Sequence, residues 1–173
     1  MADRELPKFR PDLAIQLLNR YRVRYVLIGG FAANLQGSDS VTFDVDICYS
    51  RDADTLDSLS AALLEVHARL RRVHEEVPFH LDSQALRHGD TFTFDTDIGP
   101  VDILGTPAGT NGYDELARNA HTVDAFGETF LIASVDDLIR MKRAAGRPKD
   151  RVELEILGAL REEIERLEDS NDR

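Results

Sequence analysis

The sequence predicts an α/β fold of the α+β kind: a small mixed sheet backed by helices, with a helical C-terminal end. Three observations predict it. Apolar strand runs alternate with helical stretches between residues 24 and 49. Two hairpin patterns follow, over residues 91–104 and 121–132. Helical periodicity takes over after Ser134. This order divides the chain into an α/β core, residues 1–133, and a helical extension, residues 134–173, packed on it.

The elements follow from local pattern. Residues 12–21 read as a short helix after Pro11, with Leu13, Leu17 and Leu18 on one side. Residues 24–28 form a strand and residues 30–36 a helix, with Gly37 where a C-terminal cap glycine is expected. In the strand at residues 44–49, Val45, Ile47 and Tyr49 share one face, and Asp44, Asp46 and Cys48 share the other. The apolar face should pack on helices, and the acidic face should line an opening. Residues 52–70 are the clearest amphipathic helix, with Leu56, Leu59, Leu63, Val66 and Leu70 at three- and four-residue steps. A strand is expected near residues 73–77, then a loop or short helix.

Residues 91–96 alternate as a strand, turn at Asp97-Ile98-Gly99-Pro100, and pair with residues 101–104. A loop, a short helix at residues 114–119 and a second hairpin around Phe126-Gly127-Glu128 come next. Ser134-Val135-Asp136-Asp137 has the pattern of a capped helix start, and that helix should end near Gly146. Pro148 opens the last helix, with Val152, Ile156, Leu160, Ile164 and Leu167 as its stripe.

Composition narrows the function. The chain has 173 residues, enough for a real core, and 42% hydrophobic residues. No apolar run is long enough to span a bilayer, and the charged N-terminus lacks a signal-peptide pattern. A lone Cys48 cannot form an internal disulfide, so a reducing cytoplasm is expected. The net charge of −11 disfavours a broad DNA-binding surface, and with such short apolar runs no membrane partner is expected.

The chemistry concentrates in one phrase. An apolar strand, Tyr25-Val26-Leu27-Ile28, ends in Gly29-Gly30; a helix follows, and the next strand opens with Asp44-Val45-Asp46. Glycines between a strand and a helix let backbone amides approach an anion. Two aspartates one residue apart on a strand place like charges on one face, which a divalent cation would relieve. Mg²⁺ takes such hard oxygen ligands together with phosphate oxygens. Asp102, the single charge in Val101-Asp102-Ile103-Leu104, needs a partner and completes a three-carboxylate site if its strand lies beside residues 44–49.

Asp95 and Asp97 repeat the spacing, but Asp97 falls in a turn, and both are assigned to structure. Lys142 lies on the buried side of its helix and either snorkels outward or reaches an anion, for which a triphosphate qualifies. Arg147, Lys149 and Arg151 surround the start of the last helix and are placed to meet phosphate; Asp150 is assigned to its N-terminus. The histidines form no zinc pattern, and Cys48 reads as a small buried filler beneath the acidic face.

These residues resemble the polymerase-β-like nucleotidyltransferase superfamily. Ile28-Gly29-Gly30, Asp44-Val45-Asp46 and the later Asp102 match its three-part pattern. The phrase from Asp137 through Lys142 to Asp150 looks like the helical end of small bacterial members, including toxin-type and AbiEii-like ones. The resemblance implies the nucleotidyltransferase fold and transfer of a nucleoside monophosphate from a triphosphate such as ATP to a hydroxyl or phosphate. It implies Mg²⁺ or Mn²⁺ on Asp44, Asp46 and Asp102, which are also the catalytic residues. Gly29, Gly30 and Lys142, with Arg147, would hold the triphosphate. The acceptor is an RNA end, a protein or a small molecule, and a toxin–antitoxin partner protein is one setting. A departure is the segment 38–43, which offers no arginine where many relatives have one. The alternative reading is an inactive nucleotide-binding or antitoxin-like module that binds a partner protein. A small-molecule modifier ranks lower, because such enzymes usually need a larger acceptor pocket.

Overall fold

The computed structural model describes residues 8–71 and 78–171. The elements run α1 (Pro11–Arg20), β1 (Tyr25–Ile28), α2 (Gly29–Leu35), β2 (Val45–Tyr49), α3 (Ala53–Glu65), β3 (Arg69–Leu70) and α4 (Ser83–His88). They continue β4 (Thr91–Asp95), β5 (Val101–Leu104), α5 (Tyr113–Asn119), β6 (His121–Ala125), β7 (Glu128–Ile132), α6 (Val135–Ala145) and α7 (Asp150–Asn171). The strands form one seven-stranded mixed sheet in the order β3-β4-β5-β2-β1-β7-β6. β2 pairs with β5 in parallel and β1 with β7 in parallel, and the other pairings are antiparallel.

Strand β2 is therefore central. Val45, Ile47 and Tyr49 are buried as the alternation predicts, and Cys48 is buried as well. Each large apolar side chain removed from water there contributes about 1.5–3 kcal/mol. The core runs through β1, β2 and β5 to Leu56, Leu59 and Leu63 of α3 and Leu138 and Ile139 of α6. Leu17 of α1 meets Ala62 and Val66 at the end of α3 in a smaller cluster. The predicted caps form: Ser134 accepts from the Asp137 N–H, and Gly146 ends α6 with φ +62°.

Two expectations are corrected. The amphipathic helix ends at Glu65 rather than running to Leu70. The Ala68 N–H donates to the Leu63 carbonyl at 3.0 Å and the His67 N–H to Leu64 at 3.1 Å, while His67 takes φ +52°. That is a left-handed helix stop made by a histidine, where sequence leads one to look for glycine. Leu70 then belongs to β3 and pairs with Phe94. The strand expected near residues 73–77 lies outside the described residues. On α7 the buried apolar residue is Leu157, with Leu154, Leu160 and Ile164 packed partly against the core, whereas Val152 and Leu167 are exposed. Leu160 and Ile164 of the expected stripe therefore do face the core, with Leu154 and Leu157 beside them in place of Val152 and Leu167.

Candidate metal and phosphate site

The parallel β2–β5 register sets Asp46 directly beside Asp102. Asp44 stands just before β2, on the face of Asp46. One carboxylate oxygen from each of Asp44, Asp46 and Asp102 lies within 4.8 Å of the others. The structure thus brings together the three aspartates singled out from sequence.

The electrostatics are unfavourable for three bare anions. Burial pushes the Asp46 carboxyl well above its ordinary value; the charges of Asp44 and Asp102 push it further, and Lys142 opposes them. Burial also raises Asp102, against the charge of Arg71, with Asp44 adding to the rise. Among the described residues no cation forms an ion pair with Asp44 or Asp46. Asp44 accepts instead from the Thr42 hydroxyl at 3.2 Å. Hard oxygen donors, converging and short of positive charge, fit a divalent cation of the Mg²⁺ or Mn²⁺ kind.

Gly29 and Gly30 are placed by the same packing. Gly29 has φ +72°, and a Cβ there would overlap the Asp46 carboxylate. A Cβ on Gly30 would come 3.1 Å from the Thr42 side chain. The glycine pair therefore closes down over the acidic strand as α2 begins.

Lys142 and Arg147 sit at the α6–α7 corner. Lys142 Nζ donates to Asp150 Oδ1 at 3.2 Å and pairs with Glu153; Arg147 Nε donates to Asp150 Oδ2 at 2.9 Å. Lys142 thus reaches anions of its own chain. Asp150 occupies the first turn of α7 as expected, but its carboxylate is taken up by these two side chains.

Asp95 and Asp97 lie outside the trio and pair with Arg71 at 3.0 Å and His67 at 2.5 Å. Cys48 Sγ lies 3.6 Å from the Gly105 carbonyl, and burial pushes its thiol up to about 12, so it is no nucleophile.

Sequence reasoning missed Arg71, which donates to Asp102 Oδ1 at 3.3 Å and to the Phe94 carbonyl at 3.0 Å. It lies in a stretch with no periodicity, and only the β3–β4 pairing carries it to the site. Thr42 was missed too, although its two-residue spacing from Asp44 places both on one side of an extended segment.

No family model matches this chain, and no curated protein matches its sequence. Solved structures do. The lincosamide antibiotic adenylyltransferase LnuA, in its lincomycin-bound form, superposes with a TM-score of 0.59 at 13% identity, over 89% of this chain and 99% of that one. TM1012 from Thermotoga maritima, assigned as a nucleotidyltransferase, gives 0.51 at 17% identity, over 88% and 96%. At such identities the likeness establishes the fold: this chain has the nucleotidyltransferase fold.

Proposed function

We propose that this chain is a divalent-metal-dependent nucleotidyltransferase, moving a nucleoside monophosphate from a nucleoside triphosphate to a hydroxyl or phosphate acceptor. The convergence of Asp44, Asp46 and Asp102 on β2 and β5 carries the reading. These three would hold Mg²⁺ or Mn²⁺, which when bound would neutralise charge on the transferring phosphoryl group and activate the acceptor. In the reaction an acceptor oxygen bonds to the α-phosphorus, the bond to pyrophosphate breaks, and the acceptor proton leaves. Asp102, which accepts from Arg71, would take that proton. Gly29 and Gly30 would admit the triphosphate close to the backbone, and Lys142 and Arg147 would offset its charge. On this reading residues 1–133 carry the site and residues 134–173 supply cations to it.

One observation favours a small-molecule acceptor over an RNA end or a protein. LnuA, solved with lincomycin, is covered over 99% of its length by this chain, so a chain of comparable size reaches such an acceptor. That removes the ground for ranking a small-molecule modifier lower. The toxin–antitoxin setting, with a partner protein, belongs to the RNA and protein alternatives. Among the described residues no helix is long and apolar enough to cross a membrane.

The test is transfer of α-labelled monophosphate from each of the four triphosphates to RNA, to protein and to antibiotic panels, with Mg²⁺ or Mn²⁺. Label moving to one acceptor, and not in Asp46→Asn, is the expected result. Tight triphosphate binding with no transfer to any acceptor would favour the binding-module reading.

A further inference from the structure

The sheet register carries one row of residues from the aspartate trio towards the β3 edge. Asp46 on β2 lies beside Asp102 on β5, and Asp102 lies beside Thr93 on β4. Arg71, just past β3, continues the row, its N–H donating to the Thr93 carbonyl at 2.9 Å. Arg71 and Asp102 are thus two strand spacings apart, about 10 Å, a gap that only a long side chain crosses. Arg71 crosses it. Its Nη2 donates to Asp102 Oδ1 at 3.3 Å and to the Phe94 carbonyl at 3.0 Å, and its Nε donates to Asp95 Oδ1 at 3.0 Å. The guanidinium is planar, so three acceptors leave it one orientation. Its side chain is only 23% exposed, and that of Asp102 16%.

We infer that Arg71, fixed by Asp95 and the Phe94 carbonyl, is a positioning residue that sets the orientation of the Asp102 carboxylate towards the metal site. The inference rests on the reading of the trio as a metal site. A carboxylate turns about its last side-chain bond unless an outer hydrogen bond holds it. Arg71 supplies that bond from two strands away, and Asp95 supplies its anchor. Charge and position act in opposite directions here. As a charge, the guanidinium repels a divalent cation. As a support, it holds one of the ligands in place. The sign of its effect on metal affinity therefore separates the two roles.

The test is calorimetric titration of Mn²⁺ into metal-stripped protein, for wild type, Arg71→Gln, Asp95→Asn and the double variant. Thermal melting of each metal-free protein is recorded beside it. Arg71→Gln is expected to weaken Mn²⁺ binding about tenfold, as loss of an outer-sphere partner does, although it removes a repelling charge. Asp95→Asn, at a side chain 53% exposed, should melt as wild type does and weaken binding by a smaller factor, about threefold. The double variant should bind as Arg71→Gln does, because Asp95 acts through Arg71. Equal or tighter binding in Arg71→Gln would overturn the inference, since the guanidinium would then act as charge alone. Factors that simply multiply in the double variant would overturn it too, by making Asp95 an independent charge. Unchanged affinity in Asp95→Asn, with Arg71→Gln losing both affinity and melting temperature, would assign Arg71 to the fold and overturn the inference. Wild type that takes up no Mn²⁺ would overturn the metal reading itself, and the inference with it.

Discussion

Two aspartate pairs in this chain share one spacing, Asp44 with Asp46 and Asp95 with Asp97, and their surroundings are opposite. Asp95 and Asp97 are more than half exposed, and each faces a side chain able to carry positive charge, Arg71 or His67. Asp46 is withdrawn from water on the central strand, with Asp44 and Asp102 as neighbours and only the more distant Lys142 to offset them. The spacing alone therefore carries little information. What separates a candidate site from a turn is burial together with uncompensated charge, an arrangement that costs stability and is retained where it does something else.

Substitution should divide the two pairs sharply. Asp46→Asn is expected to lower nucleotidyl transfer by about a thousandfold, as loss of a key electrostatic group does. Asp97→Asn should leave turnover within about twofold of wild type, since an exposed ion pair contributes little. Comparable losses in both variants would erase the distinction.

The glycine over Asp46 gives the next largest effect. Gly29→Ala forces a side chain into a left-handed backbone and against the carboxylate, and should cost about 2–4 kcal/mol in urea unfolding. Leu157→Ala should cost about 2–4 kcal/mol by loss of a buried side chain, while Val152→Ala stays within about 0.5 kcal/mol. Equal effects at residues 152 and 157 would mean that α7 docks by the other face.

The pH dependence of metal-free protein sharpens the electrostatic side. Asp46 and Asp102 are pushed up in the folded state, so the folded protein holds protons that the unfolded chain has released. Their contribution is fully present below the ordinary carboxylate range and is lost as pH rises through the raised values. Asp46→Asn should therefore melt higher than wild type at neutral pH, by a few degrees, about 2–4 °C. The gap should close as pH falls towards 4, in the ordinary carboxylate range. A gap that widens in acid would reverse the assigned sign. The smallest effect is on stability at the exposed pair, where Asp97→Asn should cost less than about 1 kcal/mol.

Much of this was legible in sequence. The period-two alternation of β2 and the glycine pair before α2 located both Asp44 and Asp46, and the lone charge in Val101–Leu104 located Asp102. Which strand adjoins β2 was not legible: β5 reaches it across more than fifty residues, and only the register places Asp102 beside Asp46. The left-handed His67 that ends α3 carried no glycine signal. Arg71 was hidden for a related reason, since a two-residue strand gives no period. On α7, apolar residues occur on several sides, so periodicity alone could not fix which side docks. Asp150 looked like a helix-start residue because its partner Lys142 lies on another helix.

The most direct measurement is thermal stability of wild type and Asp46→Asn with Mg²⁺ and each nucleoside triphosphate, alone and together. The account predicts that wild type is stabilised by one triphosphate only when Mg²⁺ is present, and that Asp46→Asn loses this response while remaining folded. A triphosphate response independent of Mg²⁺, or one retained in full by Asp46→Asn, would contradict the claim that Asp44, Asp46 and Asp102 form a metal site for phosphoryl transfer.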